Sequence, residues 1–101
     1  MEIDISGRHF HVTEPLQEYV REKLQKLDKY RLKLESVHVI LEVQKFHHIA
    51  ELTVLAKNLR ITAKEQSTDM YAAFDKSFGN LQLQFRKKHE KIKDHKLRRY
   101  Q

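Results

Sequence analysis

Seven histidines are the side chains here best suited to hold a metal or move a proton, yet their spacing favours neither. His9 and His11 share a face only if that stretch is extended. His47 and His48 are adjacent at a turn and so point apart, while His89 and His95 fall in the basic end of the chain. With no cysteine and no HExxH-type spacing, no metal site and no other cofactor is expected. His38 reads as an ordinary polar residue on the wet face of a strand. Covalent catalysis has equally little to work with: no nucleophile elbow, no P-loop, and only two glycines, Gly7 and Gly79. Glu42 and Glu51 can face each other across a hairpin as paired acids do, but exposed strand carboxylates are commonplace. Ser6 and Ser67 suit turns or caps. No enzyme is expected.

Charge is the more specific signal. The stretch FRKKHEKIKDHKLRRY, from Phe85 to Tyr100, holds eight Lys and Arg against Glu90 and Asp94, a net +6. That equals the formal +6 of the whole chain, so the remaining residues sum to zero. Charge runs are often solvated faces. This one is segregated and lies on an amphipathic helix, and an ordered cationic helix loses less entropy on meeting a polyanion than a floppy tail does. A pI of about 9.6 makes nucleic acid the leading partner class and an anionic membrane the second. No apolar run approaches the roughly 18 residues of a membrane span, and MEIDISGRHF has no apolar signal core. A cytoplasmic protein with no membrane partner is expected; the missing cysteines fit a reducing compartment.

The elements that must position these charges follow from periodicity. Glu2 to Ser6 alternates, with Ile3 and Ile5 inward, and reads as a short strand. Thr13 suits a helix N-cap, with Glu14 and Pro15 in the first turn. Leu16, Tyr19, Val20, Leu24 and Leu27 then form one helical stripe, and Arg21, Lys23, Lys26 and Lys29 lie off it. Three strands follow: Ser36 to Lys45, His48 to Lys57 and Leu59 to Glu65, turning at Phe46-His47 and Lys57-Asn58. Their outer faces carry His38, Glu42, Gln44, Glu51, Thr53, Arg60, Thr62 and Lys64, so one sheet face is wet, as an antiparallel meander permits. Ser67, Thr68 and Asp69 are cap candidates for a second helix, whose stripe is Met70, Phe74, Phe78, Leu81, Phe85 and Ile92.

The expected fold is therefore α+β, in the order β-α-β-β-β-α: a four-stranded sheet with two helices packed on one face. Residues 1–92 form one domain, and 93–101 form a short basic tail beyond the apolar pattern. On that fold Lys23 and Lys26 share an outer surface with Lys87 and Lys91, with Arg86 and Lys88 on its flanks. Phe46 at a hairpin tip and Tyr30 after the first helix are the aromatics placed for exposed stacking, with packing as the alternative. No aromatic motif of the RRM kind is present, so phosphate and shape contacts should outweigh base reading.

STDMYAAFDKSFGNLQLQFRKKHEKIKDHK resembles the second helix of the ribosome hibernation factors, also called the sigma-54 modulation or S30EA family. ISGRHFHVTEPLQEYVREKLQKLDKY is similar to that family's first strand and helix, so the resemblance covers essentially the whole chain. It implies a β-α-β-β-β-α domain akin to double-stranded-RNA-binding domains. It also implies a partner, the small ribosomal subunit, bound through its rRNA in the channel for mRNA and tRNA. By position the rRNA contacts would be Lys23, Lys26 and Lys29 on the first helix and Arg86, Lys87, Lys88 and Lys91 on the second. Where relatives often carry a mid-helix basic pair, this chain has Asn80 and Leu83, and Phe74 replaces the usual Ile. The modest length and basic end resemble the short type, which is monomeric when free and acts with a separate ribosome modulation factor to form inactive ribosome dimers. The alternatives are a translation inhibitor that forms no such dimers, a generic duplex-RNA binder, and a module regulating a transcription factor.

Overall fold

The computed structural model describes residues 1–30 and 33–99, with side chains through Lys87. The order is β1 (Glu2–Arg8), α1 (Glu14–Gln25), a 3₁₀ helix (Lys26–Tyr30), β2 (Leu34–Gln44), β3 (His47–Ala56), β4 (Leu59–Ser67) and α2 (Met70–Arg99). This is the expected β-α-β-β-β-α arrangement. The strands lie in sequence order across one sheet; β1 pairs parallel with β2, and the rest is an antiparallel meander. The parallel pair needs a crossover, and α1 supplies it.

Both helix starts use local polar chemistry. Thr13 Oγ1 accepts from the Leu16 amide at 3.4 Å, and Pro15 occupies the first turn, where its missing donor costs nothing. Of the three cap candidates before α2, Asp69 takes the position: its carboxylate accepts from the Ala72 amide at 2.9 Å. The negative charge also opposes the positive end of the helix dipole.

One core joins the layers. Leu16, Val20, Leu24 and Leu27 meet Val37, Val39, Leu41, Leu52, Val54 and Ile61, all buried. From α2 come Met70, Phe74, Phe78, Leu81 and Phe85, also buried. Phe74 is fully enclosed, stacked against Phe78 at 5.9 Å between ring centroids and edge-on to Tyr19 at 6.1 Å. Ser77 falls inside this stripe, and its hydroxyl donates to the Ala50 carbonyl of β3. A buried hydroxyl must find such a partner.

The structure corrects the reading in two places. The first hairpin turns at Lys45-Phe46, not Phe46-His47, with Lys45 at a left-handed φ of 55°. His47 and His48 therefore open β3 and point to opposite faces. His48 turns inward, 6.3 Å edge-on from Phe10, with its Nδ1 buried and unpartnered. Glu42 and Glu51 are not opposed: Glu42 pairs with Ile49 and Glu51 with Ile40, so the two acids are diagonal. The helix α2 extends to Arg99, past Ile92. The inward placement of Ile92 and the side chains of Lys88 and Lys91 lie outside the described residues.

The glycines have opposite roles. A Cβ on Gly7 would collide with the Phe10 carbonyl oxygen, a backbone atom that cannot swing away. A Cβ on Gly79 would meet nothing within 4 Å. Gly7→Ala should therefore destabilise the fold by about 1–3 kcal/mol, and Gly79→Ala should stabilise it by about 1 kcal/mol. Urea unfolding of the two variants tests both signs.

Candidate nucleic-acid interface

The two helices run side by side in the same direction, because Tyr19 meets Tyr71 and Phe74 near their starts and Tyr30 meets Phe85 three turns later. The carboxyl end of the first helix, where its dipole favours cations, therefore lies beside Phe85, about halfway along α2. Lys26 follows α1 directly as its C-cap. Lys29 Nζ lies 5.2 Å from the Tyr30 ring centroid, and that ring lies 5.5 Å from Phe85. This chain of contacts carries Lys29 to the turn of α2 that bears Arg86 and Lys87, both exposed.

Arg86 and Lys87 separate across the back of α2. Arg86 lies three turns beyond Asp75, which faces α1. Lys87 lies three turns beyond Lys76, whose ammonium reaches the Gln66 carbonyl of β4 at 3.3 Å. Arg86 thus continues the groove side shared with α1, and Lys87 continues the β4 side.

Lys23 is not a free cation. Its Nζ lies 3.6 Å from Asp75 Oδ1 and 5.3 Å from the Tyr19 ring centroid. The Tyr19 hydroxyl donates to the same Asp75 oxygen at 2.6 Å. Asp75 thereby bridges the helices and offsets the charge of Lys23. Sequence periodicity placed Tyr19 in the core stripe; only the packing of α1 on α2 shows its hydroxyl emerging beside a carboxylate 56 residues away.

The middle of α2 is occupied too. Asn80 Nδ2 donates to Glu65 at 3.1 Å, and Gln84 Nε2 donates to Asn80 at 3.0 Å and to the Thr62 carbonyl at 3.1 Å. These amides tether α2 to β4. Leu83 stands exposed on the outer surface. Cationic weight is thus displaced towards the carboxyl end of the helix pair.

The opposite face of the sheet is open and mixed in charge. It holds a shallow hollow of about 380 Å³ lined by Asp4, His38, Glu51, Thr53 and Arg60, among others. His38 Nδ1 lies 3.6 Å from Asp4. Ile40, Ile49 and Leu55 interrupt the polar pattern there. Among the described residues no three His, Cys, Asp or Glu gather to hold a metal ion. No helix among them is long and apolar enough to cross a membrane.

Fold and surface together define a small α+β binding domain whose unbalanced charge collects at one end of a helix pair. The chain belongs to the sigma 54 modulation protein / S30EA ribosomal protein family, whose model matches residues 3–93. The family is a non-enzymatic, ribosome-binding one. The ribosome hibernation promoting factor of Salmonella typhimurium is 35% identical over 95 residues, 94% of this chain and all of that protein. The protein of the same name from Pseudomonas putida is 37% identical over 91 residues, covering 90% of this chain and 89% of its own length. Among solved structures, the N-terminal domain of Thermus thermophilus Protein Y superposes with a TM-score of 0.78 at 29% identity, covering 86% of this chain and 98% of that domain. A ribosomal subunit interface protein from Coxiella burnetii gives 0.77 at 25% identity, over 86% and 96% of the two chains.

The Tyr19 network has a titration consequence. The hydrogen bond to Asp75, with burial adding to it, raises the Tyr19 pKa above its ordinary 10.0. For Lys23, burial pulls downward, but Tyr19 and Asp75 outweigh it and the net shift is upward. Raised folded-state values contribute stability that is complete below the ordinary pKa and is lost as pH climbs through the folded one. Tyr19 should therefore ionise above pH 10.0, and Asp75→Ala should lower that value. NMR titration of ring-labelled tyrosine measures both.

Proposed function

We propose that this chain is a ribosome hibernation factor of the short type. It binds the small ribosomal subunit in the decoding channel and excludes mRNA and tRNA sterically. The contacts run from Lys26, Lys29, Arg86 and Lys87 to rRNA phosphates, joined by Lys88 and Lys91 further along α2. Lys23 takes part only by exchanging Asp75 for a phosphate. With a ribosome modulation factor as functional partner, the bound protein favours inactive ribosome dimers in the cytoplasm under stress or in stationary phase.

The observation that carries this reading is the Tyr30–Phe85 contact, which brings Lys26 and Lys29 at the end of the first helix beside Arg86 on α2. Two parallel helices present a surface wide enough to follow a phosphate backbone, where each neutralised phosphate releases counterions. The names of the relatives, hibernation promoting factor and subunit interface protein, support the same reading.

Sedimentation with purified small subunits across a salt series tests it. Log affinity should fall with log salt at a slope of about −0.7 to −0.9 per phosphate contacted. A flat dependence, or no cosedimentation at low salt, would sink the proposal. Lys29→Glu combined with Arg86→Glu should leave the circular dichroism spectrum intact, weaken binding at least tenfold and flatten the slope by about one unit per lost contact. Asp75→Ala should tighten binding, because it frees Lys23. Competition with a free RNA duplex separates this reading from generic duplex binding.

A further inference from the structure

Phe46 is the most exposed large hydrophobic side chain among the described residues, at 90% of its surface. Tyr30, the other aromatic with a stacking position in sequence, is instead packed on Phe85. Phe46 supports nothing in the fold. It stands at the tip of a two-residue turn whose first residue, Lys45, adopts φ 55°. A positive φ at the first central position alone is the pattern of a type II′ turn, normally reserved for glycine. Lysine there holds the backbone in a conformation that side chains disfavour.

The surroundings of Phe46 select its partner. Lys45 and His47 flank it, Gln44 and His47 close the turn, and all are exposed. No acid lies between Gln44 and His48, and the Glu42 carboxylate below accepts from Gln44 at 3.3 Å. A protein-binding hot spot needs an apolar neighbourhood to exclude water. Here one flat ring is ringed by polar and cationic groups. That combination suits one unpaired nucleobase: the ring stacks on the base face and Lys45 meets the adjoining phosphate.

We infer that the Lys45-Phe46-His47 tip is a second RNA contact, in which Phe46 stacks on an unpaired base of the small-subunit rRNA. The inference rests on the ribosome reading above and deepens it. The tip and the cationic helix ends lie at opposite ends of the 11-residue β2. At the usual rise per residue that separation is about 35 Å. A stiff sheet joins them, so docking at either end restricts the search at the other.

The chain has no tryptophan, so Phe46→Trp installs a single reporter. Phe46→Ala should unfold at the wild-type urea midpoint and bind small subunits about tenfold more weakly. Phe46→Trp should keep the affinity, and its emission should be quenched without a blue shift when subunits are added. Unchanged affinity of Phe46→Ala beside normal wild-type binding overturns this inference alone. A blue-shifted, unquenched indole also overturns it, in favour of a ribosomal-protein pocket. Failure of the wild-type chain to sediment overturns the ribosome reading and this contact together.

Discussion

A four-stranded sheet is wider than one helix can cover, and the rest of the structure answers that constraint. Strands lie about 4.8 Å apart, whereas a helix with its side chains is about 10–12 Å across. The apolar face made by Val37, Val39, Leu52, Val54 and Ile61 therefore needs two helices side by side. Once α1 and α2 lie together, their dipoles align and the carboxyl end of α1 falls beside the middle of α2, at Phe85. A place for cations is thus created before any partner is considered. Tyr19 and Asp75 then tie the pair near its start, and Tyr30 and Phe85 tie it near its end.

Much of this arrangement is written in local patterns. The alternation of Val37, Val39 and Leu41, and the 3.6-residue stripe from Met70 to Phe85, specify which face of each element is buried. Thr13 and Asn58 have side chains whose chemistry announces a cap and a turn. Lys45 is different. A residue with no preference for left-handed backbone takes the turn position, so the hairpin was legible but its tip was displaced by one residue. The relation of Glu42 to Glu51 depended on that same register.

The exposure of the candidate cations was legible residue by residue, but their circuit of contacts was not. Lys26, Lys29, Arg86 and Lys87 are exposed, as their positions off the apolar stripes require. That Lys23 is held by Asp75 follows from a contact between residues 52 positions apart, and no local pattern encodes it. Asn80 is similar. Its family position suggests a weakened contact surface, whereas its hydrogen bonds make it a strut between α2 and β4. The resulting surface is graded along the helix pair, with charge balanced at the start by Asp75 and unbalanced at the end.

The pairing of β1 with β2 sets the order in which the molecule can be built. Hairpins β2–β3 and β3–β4 join neighbours and close quickly. Glu2, by contrast, pairs with Ser36, so the first strand to leave a ribosome must wait for 34 more residues before its partner exists. Pairing across such a separation carries a loop-closure cost that local hairpins avoid. β1 is thus an edge whose docking depends on the α1 crossover rather than on a turn.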